Sequence, residues 1–514
     1  MLCAAGQTIR EEENMKHYPK TVSKALSLLM ALVMMLSLAV TSASAVSCQD
    51  MNPKDDALLG TQFAVDAAIT LVTDEDGKDV SLSIPVSGMS EDALAAAVTA
   101  GTVELSLLRD DSRPYVNEEL FPYAYAGGPL ADWKTEGGGQ QFTDVKLTAN
   151  EKNGKTVLDV SFHVNNYFYS TNRRTGTTSV DYSVPHTNGG YYIDLCGYFD
   201  LTVSVSGKTA GSAPVKVAPY ENFNTMWEIY KQLDEIVAAG KKNGLYVEKF
   251  SMGQSTAGRD MPYLIVADSK ASVTKWLALT DKAESDPDAV LAQIKAGELD
   301  DIRVPVMYSN IHSNEVAATD GVLDFAKMIT SEKTIDYKTL TGFTAEGEKE
   351  LAKEMGPVGQ AGSTAIPDLV KDKASYLGYL TAGNNGKSGK VDLETYYTVE
   401  ENTVNVKSGL LSDVFFILVP EENVDGRTYL TRHSTNGYDL NRDNSFQTTS
   451  ETANMQQLIA TFNPMSFAEF HGRVQAFQCE PCDPPHEPNF EYDLLSNHLI
   501  GGGEALGIAA AANN

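Results

Sequence analysis

The chain has 514 residues, a formal net charge of -29 and a hydrophobic fraction of 42%. That length and apolar content suffice to bury two cores. The acidic balance excludes nucleic acid and anionic membrane surfaces as partners, since both need a basic footprint, and five cysteines are too sparse for a disulfide framework.

Taken in chain order, Lys16, Lys20 and Lys24 precede a charge-free stretch from Ala25 to Val40, and Ala43-Ser-Ala45 follows as a small-residue cleavage site. These are the three parts of a secretory signal. Residues 1–45 are therefore read as a signal peptide, with Met15 as an alternative start, and the mature protein as secreted. The apolar run is too short for a spanning helix, so no transmembrane segment is expected. Lipid anchoring through Cys48 is disfavoured, because Ala45 stands where a large aliphatic residue normally precedes such a cysteine.

Residues 55–207 read as antiparallel strands. Leu158, Val160, Phe162 and Val164 alternate with Asp159, Ser161, His163 and Asn165, and Phe199, Leu201, Val203 and Val205 repeat the pattern. Asn153-Gly154 is a strong hairpin signal between Leu147 and the first of these runs. The expectation is an all-β, sandwich-like accessory domain. The aromatics of Asn165-Asn-Tyr-Phe-Tyr169 belong in its core or in cross-strand pairs. Residues 208–218 have the Gly, Ser and Ala composition of a linker.

From 219 onward the pattern is α/β. Met226, Ile229, Leu233, Ile236 and Val237 fall at helical spacing, with Gly240 expected to close the helix. Apolar runs at Tyr263–Ala267, Val304–Asn310 and Val414–Val419 read as strands, and the last has the unbroken apolar character of a parallel strand covered on both faces. Residues 337–408, rich in Gly, Lys and Glu with weak periodicity, read as an insertion at the surface.

The residues that carry chemistry cluster around strand exits. His312 and Glu315 follow the strand that ends at Asn310, and Val322, Phe325, Ala326 and Ile329 then start a helical period. The pair therefore sits on a strand-to-helix turn, the edge of an open α/β sheet where ligands bind. His471 follows a second apolar run, Met465–Phe470. Two His and one Glu leave a tetrahedral metal ion one free position, whereas a structural site would close it with a fourth protein ligand. Cys479-Glu-Pro-Cys482, near His486, lacks the second ligand pair of a convincing metal site and is read as a loop disulfide or two thiols.

The order of Gly253-Gln-Ser-Thr-Ala-Gly-Arg259, His312-Ser-Asn-Glu315, Asn423-Val-Asp-Gly426, Asp439-Leu-Asn-Arg442 and His471 resembles the zinc metallocarboxypeptidases of the carboxypeptidase A type. The resemblance covers residues 219–514 and implies a mixed sheet flanked by helices, with one zinc ion per chain held by His312, Glu315 and His471. It further implies that Arg432 stabilises the oxyanion, with Arg427 as its rival, that Asn441 and Arg442 grip the terminal carboxylate of a peptide, and that Asp439 orients His312. In the family, a glutamate general base and a substrate-contacting tyrosine lie several tens of residues beyond the third ligand. Glu480, Glu487, Glu491 and Glu504 do not occupy that glutamate's position, so the domain is expected to be incomplete at its C-terminus, with the base beyond residue 514.

The implied function is a secreted zinc carboxypeptidase that removes C-terminal residues from peptides or proteins by zinc-activated water. Two alternatives remain. One is an amidase or endopeptidase of the same fold acting on cell-wall peptides, and the other is a non-catalytic binding module that retains the metal.

Overall fold

The computed structural model describes residues 65–73, 77–110, 125–171, 178–180, 192–221, 223–347, 349, 395 and 397–472. The expected signal peptide, Cys48, Cys479, Cys482, His486 and the acidic residues after His471 lie outside them. Among the described residues, no helix is long and apolar enough to cross a membrane.

The N-terminal part runs β1 (Ala67–Thr70), β2 (Gly77–Pro85), α1 (Glu91–Thr99), β3 (Val103–Arg109), β4 (Gly127–Pro129), β5 (Phe142–Lys152), β6 (Lys155–Asn165), β7 (Tyr169–Thr171), β8 (Thr178–Val180), β9 (Gly197–Val205) and β10 (Lys208–Ala218). One sheet has the order β1-β10-β9-β3-β4 and another the order β2-β6-β5. Both feed one core: Leu158, Val160 and Phe162 of β6 and Phe199, Leu201 and Val203 of β9 are buried in it, as the alternation of their strands requires. Trp133 stands edge-on to Tyr125, Phe142 and Phe199. The hairpin between β5 and β6 turns on Asn153 and Gly154, both at positive φ.

Two expectations for this part need correction. The region is not all-β, because α1 forms where Ser90 caps an Ala-rich stretch with Glu91 and Asp92 in its first turn and Leu94 buried; an acceptor at the cap and acids near the positive end of the helix both favour it. The stretch 208–218 is not a linker. It is β10, paired with β9 along its length and with β1 on its other side. Its small residues have a packing cause: a Cβ on Gly211 would lie 2.0 Å from the carbonyl oxygen of Pro85, so the close approach of another backbone excludes a side chain there.

The second part runs α2 (Met226–Lys242), β11 (Tyr246–Gln254), β12 (Asp260–Ala267), α3 (Lys270–Ser285), α4 (Pro287–Lys295), β13 (Val304–Asn310), α5 (Val316–Ser331), β14 (Thr334–Phe343), β15 (Tyr397–Asn405), β16 (Val414–Val419), α6 (Val424–Tyr429), α7 (Ser450–Phe462) and β17 (Ser466–Phe470). Helix α2 opens with a capping box, Thr225 with Glu228. Glu228 also takes hydrogen bonds from Lys216 at 2.6 Å and Tyr198 at 3.2 Å, which ties the helix to β10 and β9. Gly240 does not close α2: the helix continues two residues further, and a Cβ on Gly240 would lie 2.2 Å from Cγ2 of Val247. The glycine lets helix and strand approach.

The main sheet has the order β11-β12-β16-β13-β17, with β16, β13 and β17 parallel to one another, β12 antiparallel to β16 and β11 antiparallel to β12. Strand β16 is buried from Phe415 to Val419 because helices cover both of its faces. On one side Val273 and Trp276 of α3 and Met455, Leu458 and Phe462 of α7 pack on Ile265, Met307, Phe415 and Ile417. On the other, Phe325 of α5 meets Tyr308 and Phe416 edge-on. The part is thus mixed α/β. Among the described residues, strands β14 and β15 pair only with each other, as an antiparallel ribbon at the two ends of the region expected as an insertion.

Candidate metal site

Strands β16, β13 and β17 are adjacent and parallel, so their carboxyl ends share one edge of the sheet. His312 follows β13, Glu421 and Glu422 follow β16, and His471 follows β17. This is why residues far apart in sequence meet. His312 is 1% exposed, and a turn in which Glu315 N–H donates to the His312 carbonyl brings Glu315 back beside it at the start of α5.

Three donor groups converge. Nδ1 of His312 lies 3.1 Å from Nδ1 of His471 and 3.2 Å from Oε1 of Glu315, and Nδ1 of His471 lies 3.1 Å from Oε2 of Glu315. Ligands at about 2.1 Å from a tetrahedral zinc ion would stand about 3.4 Å apart, so the residues fit the ion closely in both donor type and spacing. Among the described residues this is the one group of three or more such side chains that could hold a metal.

The surroundings are charged and directional. His312 Nε2 lies 3.1 Å from Asp439 Oδ1, and Arg432 Nε donates to Asp439 Oδ2 at 2.8 Å. Arg432 Nη1 donates to Glu315 Oε1 at 3.1 Å. Burial opposes the charge on Glu315, but hydrogen bonds from His312, His471 and the Gly472 N–H outweigh it and hold the carboxyl well below its ordinary range. Glu315, then Glu469, push His471 up to about 9. Asp439 is lowered: burial raises it, and the Arg432 and His312 contacts more than offset that.

The structure separates the two arginines. Arg432 reaches the site, whereas Arg427 is 1% exposed and turned into the protein, its Nε on the Asn224 carbonyl at 2.8 Å, its Nη1 on the Ser313 carbonyl at 3.2 Å and its guanidinium 4.2 Å over the Phe223 ring. Asn441 backs the site through its N–H, which donates to Asp439 Oδ1 at 3.0 Å. Arg442 is exposed, and its Nη1 donates to the Asn441 carbonyl at 2.7 Å.

Sequence reasoning missed the acids beneath the site. Glu421 and Glu422 are 1% and 2% exposed. Burial pushes Glu421 up to about 7 against the pull of Arg427, with Ser313 and Thr319 donating to its carboxylate. Burial, then the neighbouring Glu469 carboxylate, push Glu422 well above its ordinary value. Glu469 itself lies 3.0 Å from Nε2 of His471. The usable signal was spacing, because Glu469 in β17 stands only two residues before His471, and alternate residues of an extended run share a face.

No family model matches the chain, and no curated protein does. Among solved structures it is similar to a metallo-carboxypeptidase from Burkholderia cenocepacia, at 13% identity and a TM-score of 0.26, over 54% of this chain and 49% of that one. It is also similar to two proteins provisionally assigned as carboxypeptidases. One, a carboxypeptidase A from Shewanella denitrificans OS-217, shows 12% identity and a TM-score of 0.26 over 85% of this chain and 72% of that one. The other, from Burkholderia mallei ATCC 23344, shows 10% identity and a TM-score of 0.26 over 77% of this chain and 56% of that one. The chain spans about half the length of the first of these.

Proposed function

We propose that this chain is a zinc-dependent peptidase of carboxypeptidase type, acting on the C-terminal residues of peptides. The spacing of the three donors carries the proposal: two imidazole nitrogens and a carboxylate stand 3.1 to 3.2 Å apart at the sheet edge, as ligands around one small cation would. Zinc, when bound, supplies a Lewis acid that polarises a carbonyl and eases the ionisation of water.

The chain's own residues then divide the work. His312, Glu315 and His471 hold the ion. The Asp439 carboxylate accepts from His312 Nε2–H and so keeps Nδ1 free to ligate. Arg432, fixed by Asp439, presents a permanent positive charge where negative charge grows on a substrate carbonyl. Asn441 and Arg442 clamp the free carboxylate of the last residue, for which a planar guanidinium is suited; Arg442 must first turn away from the Asn441 carbonyl. The basic, apolar and small-residue order of residues 1–45 supports export, which sets the substrates outside the cytoplasm.

The test is binding. Purified chain should hold one zinc by elemental analysis, and His312→Ala or His471→Ala should lose it. Zinc-loaded chain should bind a peptide with a free C-terminal carboxylate better than the same peptide amidated, by roughly 10-fold or more, and Arg442→Ala should erase that preference. Equal binding of the two peptides by wild type would sink the carboxypeptidase assignment and favour an amidase or endopeptidase. Zinc retained without peptide binding would favour a non-catalytic module, and failure to retain zinc would end the metal assignment.

A further inference from the structure

We infer that Glu469 is the positioning residue for His471, holding its ring so that Nδ1 faces the metal. The inference rests on the zinc site proposed above and adds to it a residue outside the ligand set and its arginine.

Each histidine of the site has one nitrogen turned inward and one backed by a carboxylate. His312 shows Nδ1 to Glu315 and Nε2 to Asp439, at 3.2 and 3.1 Å. His471 shows Nδ1 to Glu315 and Nε2 to Glu469, at 3.1 and 3.0 Å. The two arrangements have the same polarity although they are built from unrelated segments. Asp439 reaches His312 from a loop after α6, whereas Glu469 lies in β17 and His471 stands one residue beyond the end of that strand, so the second contact is local in sequence.

A neutral imidazole carries one N–H. An acceptor carboxylate at Nε2 draws the proton there and leaves the Nδ1 lone pair pointing at the ion, while its negative charge makes that lone pair more basic. The same placement excludes Glu469 from direct catalysis, because the imidazole ring stands between its carboxylate and the convergence of the three donors. The sheet fixes where Glu469 stands, since it lies opposite Ser309 in the register between β17 and β13, and its side chain is 21% exposed. A surface acid with no role would have no reason to point along the strand at a ligand's outer nitrogen.

The experiment compares the full chain as wild type, Glu469→Ala, Glu469→Gln and Glu469→Asp. Zinc affinity is read by competition with a chromophoric chelator, ligand geometry by the visible spectrum of the cobalt-substituted protein, and fold by thermal melting in excess EDTA. Glu469→Ala should weaken zinc by roughly 10- to 100-fold. Glu469→Gln, which keeps an acceptor without the charge, should lose less, and Glu469→Asp should recover part. The cobalt spectrum should change in the Ala variant, with metal-free melting unchanged in all four. Wild-type affinity and an unaltered cobalt spectrum in both Ala and Gln variants would overturn the inference while leaving the zinc site intact, and so would loss that Asp does not relieve and that follows the melting temperature. A wild type that binds no zinc would instead overturn the site and the inference together.

Discussion

Asp425, fully buried at the start of α6, holds Arg259 through an ion pair of 2.6 Å and so joins the turn between β11 and β12 to the loop beside the candidate metal site. Its carboxylate also accepts from Ser255 Oγ at 2.7 Å and from Ala257 N–H at 2.8 Å. The first and third motifs of the sequence resemblance are thus one hydrogen-bonded unit.

Breaking this pair leaves a buried charge uncompensated. Arg259→Met and Asp425→Asn should each lower unfolding stability in urea by about 3–5 kcal/mol. The double variant should lose clearly less than the sum, because the second change removes a charge that the first had stranded. Additive losses would show that the two side chains do not act together.

The two arginines near the site should fail in opposite ways. Arg427→Met, at a residue 1% exposed and bound to Ser313 and Asn224 carbonyls, should cost stability on the order of 3 kcal/mol. Arg432→Met, at a half-buried side chain, should change stability by about 1 kcal/mol or less. It should nevertheless weaken binding of a phosphonate peptide, whose tetrahedral anion mimics the developing oxyanion, by a factor of roughly 100. Calorimetric titration and melting of the same preparations separate the two effects, and a phosphonate affinity untouched in Arg432→Met would exclude it as the oxyanion partner.

Glu421 sets a pH dependence. Its carboxyl is raised from 4.5 to about 7 in the folded protein, so between those values the folded state binds the proton that the unfolded state has released. Stability from this group is therefore complete below about pH 4.5 and is lost as pH rises through about 7, by an amount on the order of 3 kcal/mol. Glu421→Gln should flatten that fall in denaturant titrations between pH 5 and 8. Glu422, also raised by burial, acts with the same sign, so the double Gln variant should flatten it further. Parallel curves for wild type and Glu421→Gln would contradict the assignment.

What could be read from sequence was local. Val414–Val419 announces a covered parallel strand because nothing interrupts its apolar run, and His312 with Glu315 stands out because a strand pattern ends and a helical one begins around it. His471 needed only the apolar run before it. Other features depend on neighbours distant in sequence. Gly211 and Gly240 look like breakers, but their lack of a side chain answers to Pro85 and Val247. Arg427 and Arg432 are equivalent on paper, and only packing decides which one turns inward. Glu469 and Glu422 read as solvated acids in a chain with 69 of them, until β17 and the end of β16 carry both to the same edge.

The ribbon of β14 and β15 bears on how this architecture can change. Thr334 pairs with Asn405, and Val406 N–H donates to the Lys333 carbonyl at 2.9 Å, so the chain leaves the crossover between α5 and β16 and rejoins it at the same place. The crossover has in effect a clasp, and the ends that it brings together are the same whatever length of chain passes beyond it. Loop-closure entropy grows only slowly with length, so evolution can lengthen, shorten or exchange that excursion while β13 and β16 keep their register and the histidine turn between them keeps its place.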